Sequence, residues 1–199
     1  IRFFYVQMYS VMEYLRNFSF LHGDIKLENF LLTRNFTVKL TDFALATNVR
    51  PEFKLSNAGT TTYMPPELSK GVTSLSDAHA YKVDYYAIGC CLYKMYTGKF
   101  IVTPESDGKT VNLDNLISIL TNLKEGASLR ISGSPELENL IRRLLDPNIE
   151  ERGDISDMRC EWMFRNENII RNLFESYDND YIKFLYELQK MDDMKCLNL

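Results

Sequence analysis

The chain has 199 residues, of which 45% are hydrophobic and 13% aromatic, enough for one well-packed domain but not for two independent cores. Its 23 basic and 27 acidic residues are interspersed and give a net charge of -4, which argues against a nucleic-acid partner. The sequence shows no membrane-length apolar run, no signal-peptide pattern and no disulfide framework among its four cysteines, so we expect a cytoplasmic location, with the nucleus as the alternative, and no membrane partner.

The first half of the chain predicts one helix and one small hairpin. Apolar residues over 1–15 recur at three- and four-residue steps, as an amphipathic helix requires. Two short β-like runs follow at 30–33 and 37–40, and the polar residues 34–35 between them suit a tight connection. Residues 44–67 have no sustained period, so we expect a long irregular segment, which in compact domains is usually functional.

The second half of the chain predicts several more helices. Residues 83–96 are apolar nearly all round, which is typical of a helix at the centre of a domain, and Gly98 follows as the expected C-terminal cap. Amphipathic patterns at 113–123 and 135–145 predict two further helices. Apolar positions after residue 166 suggest one or two helices beyond the main unit. The expected fold is mainly α with a small β-hairpin.

Two groups of polar residues flank the predicted hairpin, with HGDIKLEN at 22–29 before it and TDFA at 41–44 after it. A phosphoryl transfer needs a carboxylate to orient the attacking hydroxyl, a cation near the migrating group and oxygen ligands for Mg²⁺. The residues that supply these needs are Asp24, Lys26, Asn29 and Asp42. Because a hairpin brings its two ends side by side, we expect Asn29 and Asp42 to meet at one magnesium site.

These segments resemble the catalytic loop H-R-D-x-K-x-x-N and the magnesium loop D-F-G of eukaryotic protein kinases. Three further segments resemble the family's substrate-cradling stretch that ends in A-P-E, its D-x-W-x-x-G run and its late D-P-x-x-x-x-R stretch. In this chain they are GTTTYMPPE at 59–67, DYYAIG at 84–89 and DPNIEER at 146–152. The resemblance covers residues 1–164, and five motifs in the family's order are a far stronger signal than any single motif.

The resemblance implies a catalytic or ligand-binding role for several residues. Asp24 would orient the substrate hydroxyl, with proton removal as a further role, and Lys26 would neutralise phosphoryl charge. Thr60 would bond to both, a combination that indicates the serine/threonine type of kinase. Asn29 and Asp42 would hold Mg²⁺.

Other residues would act on the nucleotide or on peptide selection. Leu31, on the first hairpin strand, would lie under the adenine ring of ATP. Glu28 is placed to attract a basic residue of a protein substrate, although Lys94 would oppose this attraction if it faces the same groove.

The remaining implied roles are structural. His22 and Phe43 would pack as internal residues, and Asp84 would brace the catalytic loop from below. Glu67 and Arg152 would form a buried ion pair. Taken singly, the two charged residues of this pair would be read as solvated surface charges and His22 as an ordinary core histidine.

Gly23 stands where the family usually has an Arg that grips a phosphorylated activation loop. Without that Arg, a phosphate on Ser56 lacks its main partner, so we expect activity not to depend strongly on phosphorylation there. Gly23 also produces a string resembling the H-G-D-x-x-x-x-N loop of kinases that act on choline or aminoglycosides. The residues that favour a protein kinase over this rival are Lys26, Thr60, Glu67 and Asp84.

Two further departures from the family lie near the expected magnesium site. Ala44 replaces the magnesium-loop Gly. Its β-carbon disfavours the backbone conformations that Gly adopts freely, at a cost on the order of 1 kcal/mol. Leu27 stands where Pro is usual. Since both expected metal ligands are present, an active enzyme is favoured over a degraded pseudokinase.

The sequence contains no Gly-rich phosphate loop and no V-A-I-K lysine, because it begins at the helix before the catalytic loop. We therefore expect residues 1–164 to form a kinase C-terminal lobe without the N-terminal lobe, and 165–199 to form a helical extension. The predicted function is ATP- and Mg²⁺-dependent phosphorylation of serine or threonine in a protein substrate, with little activity expected from this segment alone. The alternative is a pseudokinase or truncated lobe that acts as a binding scaffold.

Overall fold

The computed structural model describes residues 1–34, 36–50, 53–127, 129 and 135–159. Asn35, in the predicted hairpin connection, and the predicted helical extension at 165–199 lie outside the described residues. The elements below refer to the described part of the chain.

The described residues form six α-helices and four short strands. In chain order they are α1 Arg2–Asn17, β1 Phe20–Leu21, β2 Phe30–Leu32, β3 Val38–Leu40, β4 Thr47–Asn48, α2 Pro66–Ser69, α3 Asp77–Thr97, α4 Leu113–Lys124, α5 Pro135–Leu144 and α6 Ile155–Met158. Single 3₁₀ turns occur at Leu27–Asn29, Phe43–Leu45 and Thr61–Tyr63. The predicted helix-rich architecture with a small hairpin is confirmed, while its assignment to one lobe of a larger domain stays a prediction.

Helix α3 occupies the centre of the core, and every residue from Val83 to Leu92 is buried. Apolar side chains on all its faces explain this placement, because a helix without a polar face packs on every side. The helix ends at Gly98, whose positive φ of 73° and N–H···O bond to Lys94 at 2.9 Å form the predicted left-handed cap. In the described part of the chain, neither α3 nor any other helix combines the length and apolarity needed to cross a membrane.

Helix α1 packs its buried face on this core and also holds the hairpin. Gln7 is a buried polar residue of α1. Its side-chain carbonyl accepts the N–H of Val38 at 2.8 Å, and its side-chain amide donates to the carbonyl of Phe36 at 3.1 Å. One buried amide therefore satisfies two backbone groups at the start of β3 and fixes the hairpin against α1.

The predicted hairpin forms by antiparallel pairing of β2 with β3, with Phe30 opposite Leu40. A second antiparallel pair, β1 with β4, places Leu21 opposite Thr47. The prediction that 44–67 is entirely irregular is therefore wrong in part, because this segment contains β4, a 3₁₀ turn and the start of α2. Two-residue strands are too short to show periodicity, so tertiary pairing decides them.

Helix α5 crosses α3 at very close range at Gly89. A β-carbon built on Gly89 would lie 2.9 Å from Cβ of Leu144 and 3.0 Å from Cδ2 of Leu145. Since real β-carbons essentially never come so close to other atoms, the contact requires glycine. The small residue inside the central helix thus sets the distance between the two helices.

Replacing Gly89 with Ala tests this contact. Ala is the better helix former by about 1 kcal/mol, but overpacking a core typically costs ~1–3 kcal/mol, and one atom in the way is itself a β-carbon that cannot rotate aside. We expect Gly89→Ala to lower the free energy of unfolding by about 1–2 kcal/mol, measured by urea denaturation. In a Leu145→Ala background the same change should cost less, because one obstructing side chain is gone. Equal costs in both backgrounds would contradict the close contact.

Candidate functional site

Asp84 of α3 holds the backbone of the loop between β1 and β2. Its Oδ2 accepts the N–H of His22 at 2.7 Å and its Oδ1 accepts the N–H of Gly23 at 3.0 Å. Burial raises the pKa of the Asp84 carboxyl, and the two backbone donors act against that rise. Because α3 is the rigid centre of the core, this carboxylate fixes the chain just before Asp24.

His22 connects this loop to the segment that follows β3. It is fully buried; its Nδ1 accepts the N–H of Asp24 at 3.3 Å, which leaves Nε2 to donate to the carbonyl of Thr41 at 3.1 Å. The ring of Phe43 lies edge-on to it, with centroids 4.9 Å apart. The sequence had predicted that Phe43 packs inside the core. Among the described residues it is instead 50% exposed and lies at the edge of the core.

Asp24, Lys26 and Thr60 form one hydrogen-bonded group. Lys26 Nζ donates to Asp24 Oδ2 at 2.5 Å and to Thr60 Oγ1 at 3.0 Å. The backbone N–H of Thr60 donates to Asp24 Oδ1 at 2.9 Å. The side chains of Asp24 and Lys26 are 10% and 20% exposed, so the pair is largely shielded yet reachable from solvent.

The same contacts set the charge of Asp24. Burial by itself would raise the pKa of the carboxyl, but hydrogen bonds from Lys26 and Thr60 outweigh burial and lower it. Asp24 is therefore ionised at neutral pH, and the stability that its charge contributes is lost only as the pH falls through the lowered pKa. A carboxylate of lowered pKa is a weak base but a good acceptor for an orienting hydrogen bond.

The hairpin brings Asn29 and the residue before Asp42 together. Asn29 is buried; its carbonyl accepts the N–H of Thr41 at 3.0 Å, and its side-chain amide donates to the carbonyl of Asp24 at 2.8 Å. Asp42 follows directly, is exposed, and has a positive φ of 64°, which Asp tolerates better than most residues. Ala44 has no positive φ, so the strain expected from its β-carbon is absent in this conformation.

The donor atoms at this end of the hairpin suit a hard cation. The amide N–H of Asn29 is used internally, which leaves its side-chain oxygen and the Asp42 carboxylate as available ligands. Mg²⁺ prefers oxygen ligands and is usually held by one or two protein groups together with phosphate and water. In the described ranges no group of three or more His, Cys, Asp or Glu side chains could hold a metal, so a thiolate- or imidazole-rich site is not formed there.

Arg152 and Glu67 form a buried ion pair beneath the 59–67 segment. The guanidinium donates to both carboxylate oxygens, at 2.6 and 2.8 Å, and its Nε donates to the carbonyl of Asp146 at 2.9 Å. The Arg152 side chain is 0% exposed and lies over the ring of Tyr86, 5.0 Å from its centroid. A charge buried so deeply needs all these partners, so the pair ties α2 firmly to the base of the core.

A small cleft opens beside the Asp24 group. It is lined by both loops and by the underlying helix, through residues that include Gly23, Asp24, Thr60, Tyr63, Met64 and Val83. Tyr63 is a member that sequence reasoning missed. Its hydroxyl donates to Glu28 at 3.1 Å, but a lone aromatic after three threonines carries no signal for a partner 35 residues away.

The structure thus brings most of the predicted site residues together. Those grouped around the cleft or the loop beneath it are His22, Asp24, Lys26, Asn29, Thr60 and Asp84. Asp42 joins them through the hairpin backbone, and Glu67 with Arg152 forms a separate contact below. Leu31 stands apart on β2, with 53% of its surface exposed.

The family model described as the protein kinase domain matches residues 1–164. The serine/threonine-protein kinase STK11 of Gallus gallus is 28% identical over 170 residues, 83% of this chain and 36% of that protein. The serine/threonine-protein kinase plk-2 of Caenorhabditis elegans is 34% identical over 147 residues, 73% of this chain and 21% of that protein. PKH2 of Saccharomyces cerevisiae, another serine/threonine-protein kinase, is 30% identical over 183 residues, 84% of this chain and 15% of that protein. The chain therefore spans about a third or less of the length of these curated relatives.

Lys26→Met tests the electrostatics of the group, because it keeps the length of the side chain and removes its charge. Since the Lys26 hydrogen bond opposes the effect of burial on Asp24, we expect the pKa of Asp24 to rise. The measurement is an NMR titration of the carboxyl carbon of Asp24. Thr60→Val, which keeps the backbone donor and the Lys26 charge, should raise the pKa less. An Asp24 pKa that stays unchanged or falls in Lys26→Met would show that the ion pair does not set its charge.

Proposed function

The chain belongs to the protein kinase domain family, and on that basis we propose that the protein containing it transfers the γ-phosphoryl group of ATP to serine or threonine hydroxyls of proteins. The observation that carries this proposal is the hydrogen-bonded group of Asp24, Lys26 and Thr60 beside one cleft, which Asp24 and Thr60 line. It joins an ionised carboxylate, a fixed cation and a side-chain hydroxyl within hydrogen-bonding distance. Such preorganised charge is what phosphoryl transfer mainly requires.

Asp24 would orient the attacking hydroxyl. Each of its oxygens already accepts one hydrogen bond, from Thr60 or from Lys26, and each has a further lone pair for a substrate hydroxyl. Its lowered pKa favours orientation of the hydroxyl over early removal of the proton. Lys26, held by two oxygen partners, would supply positive charge near the migrating group.

ATP and Mg²⁺ are the proposed cofactors. Asn29 and Asp42 would hold the metal, which when bound neutralises charge on the phosphates. The half-exposed side chain of Leu31 offers an apolar surface for the adenine ring. We propose the same boundaries as the sequence suggests, with residues 1–164 as the C-terminal lobe and 165–199 as an extension.

Several features support a protein substrate over a small molecule such as choline or an aminoglycoside. The 59–67 segment covers one side of the cleft, and the buried Glu67 contact anchors its end. Thr60 in that segment bonds directly to the Asp24 group. The matched relatives are named as serine/threonine-protein kinases, which agrees with the serine/threonine type.

Asp24→Asn is the direct test of the proposed reaction. Asn keeps the size of the side chain but has no charge, so we expect phosphate transfer to fall by about 10²–10⁴-fold. The assay measures transfer of radiolabelled phosphate from ATP to a protein substrate, using the full protein that contains this chain. Asp114→Asn, at an exposed position of α4, is the matched control and should retain activity. Equal labelling by wild type and Asp24→Asn would remove the proposed mechanism and favour a scaffold.

Ser56→Ala tests the proposed independence from activation-loop phosphorylation. Gly23 has a positive φ of 79°, and a β-carbon there would lie 2.9 Å from the carbonyl oxygen of Leu45, so this conformation has no room for a side chain to hold a phosphate. Ser56 itself is exposed, and its hydroxyl accepts a local N–H, from Ala58 at 3.1 Å. We expect the kcat of Ser56→Ala to stay within about twofold of wild type, as for ordinary surface changes. A tenfold loss would contradict this proposal.

A further inference from the structure

Four side chains form a compact charged cluster next to the cleft: Glu28, Tyr63, Lys94 and Phe100. Lys94 Nζ lies 2.9 Å from Glu28 Oε1. The hydroxyl of Tyr63 donates to Glu28 Oε2 at 3.1 Å and lies 3.4 Å from Lys94 Nζ. The Phe100 ring packs edge-on to Tyr63, and its centroid is 3.8 Å from the Lys94 ammonium.

These contacts engage both charges of the cluster. The ammonium of Lys94 faces a carboxylate, a hydroxyl and an aromatic ring, which together account for its three N–H donors. Each oxygen of Glu28 accepts one hydrogen bond. The Lys94 side chain is 23% exposed and that of Glu28 is 54% exposed, so the carboxylate is the part of the pair that faces solvent.

The cluster has no net charge. Burial, the largest single influence, would raise the pKa of Glu28, but the hydrogen bonds from Lys94 and Tyr63 and the Lys94 charge together outweigh burial and lower it, so the carboxylate is ionised. Burial raises the pKa of Tyr63, whose hydroxyl therefore stays neutral. One negative charge and one positive charge remain, and they cancel within a single hydrogen bond.

Tyr63 joins this cluster to the proposed reaction centre. It lines the same cleft as Asp24 and Thr60, and it directly contacts Glu28. Glu28 also lies four residues after Asp24, in the 3₁₀ turn that ends at Asn29. A polypeptide whose hydroxyl reaches Asp24 would bring residues within about three positions of the target next to the cluster, since an extended chain advances ~3.4 Å per residue.

We propose that Lys94 is a specificity-determining residue that neutralises Glu28, so that the groove selects substrates with an uncharged residue at the position facing Glu28. This inference rests on the proposed function, because it assigns the substrate class of the same cleft. An unpaired Glu28 would attract arginine or lysine, but here a basic substrate residue must compete with an ammonium that the protein itself holds in place. An acidic residue gains nothing either, because the donors of Lys94 are already in use.

Lys94→Met tests the proposal with a side chain of similar length and no charge. The probes are serine peptides in which Arg, Asp or Ala occupies, in turn, each of the three positions before and after the target. For the full wild-type protein we expect kcat/KM for Arg and Ala peptides to agree within about twofold at the position facing Glu28, which is the position where the Arg-to-Ala ratio changes in Lys94→Met. In Lys94→Met, the Arg-to-Ala ratio should rise about two- to fivefold at the position facing Glu28, the range of a partly exposed ion pair. A wild type that already prefers Arg, or no rise in a folded Lys94→Met, would overturn the proposal.

Glu28→Gln removes the other charge of the pair. It also serves as a second test if Lys94→Met folds poorly. It leaves the Lys94 charge without its partner, so the Asp-to-Ala ratio should rise and the Arg-to-Ala ratio should fall at the same position. The double variant Lys94→Met with Glu28→Gln removes both charges and should return both ratios to the wild-type values. A Glu28→Gln protein that discriminates among the peptides as wild type does would also overturn the proposal.

Peptide dissociation constants, measured by fluorescence anisotropy for the same variants, separate this inference from the proposed function. If the wild-type protein transfers phosphate to none of the peptides, the proposed function fails, and the dissociation constants alone decide the role of Lys94. Tighter binding of the Arg peptide to Lys94→Met than to wild type would support the neutralisation. Equal binding would refute it whether or not phosphate is transferred.

Discussion

The contact between Asp84 and the backbone of His22 and Gly23 is the constraint on which the site depends. Asp84 belongs to α3, which is buried over its whole central part and cannot move without disrupting the core. Two N–H groups of the loop bind its two carboxylate oxygens, so the loop is fixed in position and in orientation. Asp24 follows that fixed segment directly, so the hydrophobic core determines where the Asp24 carboxylate lies beside the cleft.

A second buried charge, that of Arg152, anchors the 59–67 segment, which forms the other wall of the cleft. Arg152 has no exposed surface in its side chain, and it binds Glu67 through two parallel hydrogen bonds. Buried ion pairs rarely add much net stability, because desolvation offsets most of their attraction, but removing one partner is costly. The pair thus acts as a positional constraint on the segment that carries Thr60. Each wall of the cleft is therefore anchored by a carboxylate whose two oxygens both accept hydrogen bonds: Asp84 on one side and Glu67 on the other.

Much of this arrangement could be predicted from the sequence. The apolar periods predicted the helices, and the order of the polar groups around the hairpin predicted a site made of Asp24, Lys26, Asn29 and Asp42. The contacts of Thr60 and Asp84 and the pairing of Glu67 with Arg152 were implied by the resemblance to the kinase motifs. Contacts between distant residues that lack a pattern could not be predicted. The two-residue β1–β4 pair, the Tyr63 contact with Glu28 and the half-exposed position of Phe43 are decided by packing across the fold. The ion pair of Lys94 with Glu28 depends on the direction of the Lys94 side chain, and the periodicity of α3 does not determine that direction.

The connection between α1 and the hairpin is made by Gln7, a primary amide. Amides neither gain nor lose protons across the pH range in which proteins function, unlike the carboxylates that line the cleft. Acidification can therefore change the chemistry carried by the hairpin ends while the attachment of the hairpin to the domain stays the same. At this contact the scaffold does not respond to acidity, because the Gln7 side chain has no ionisable group.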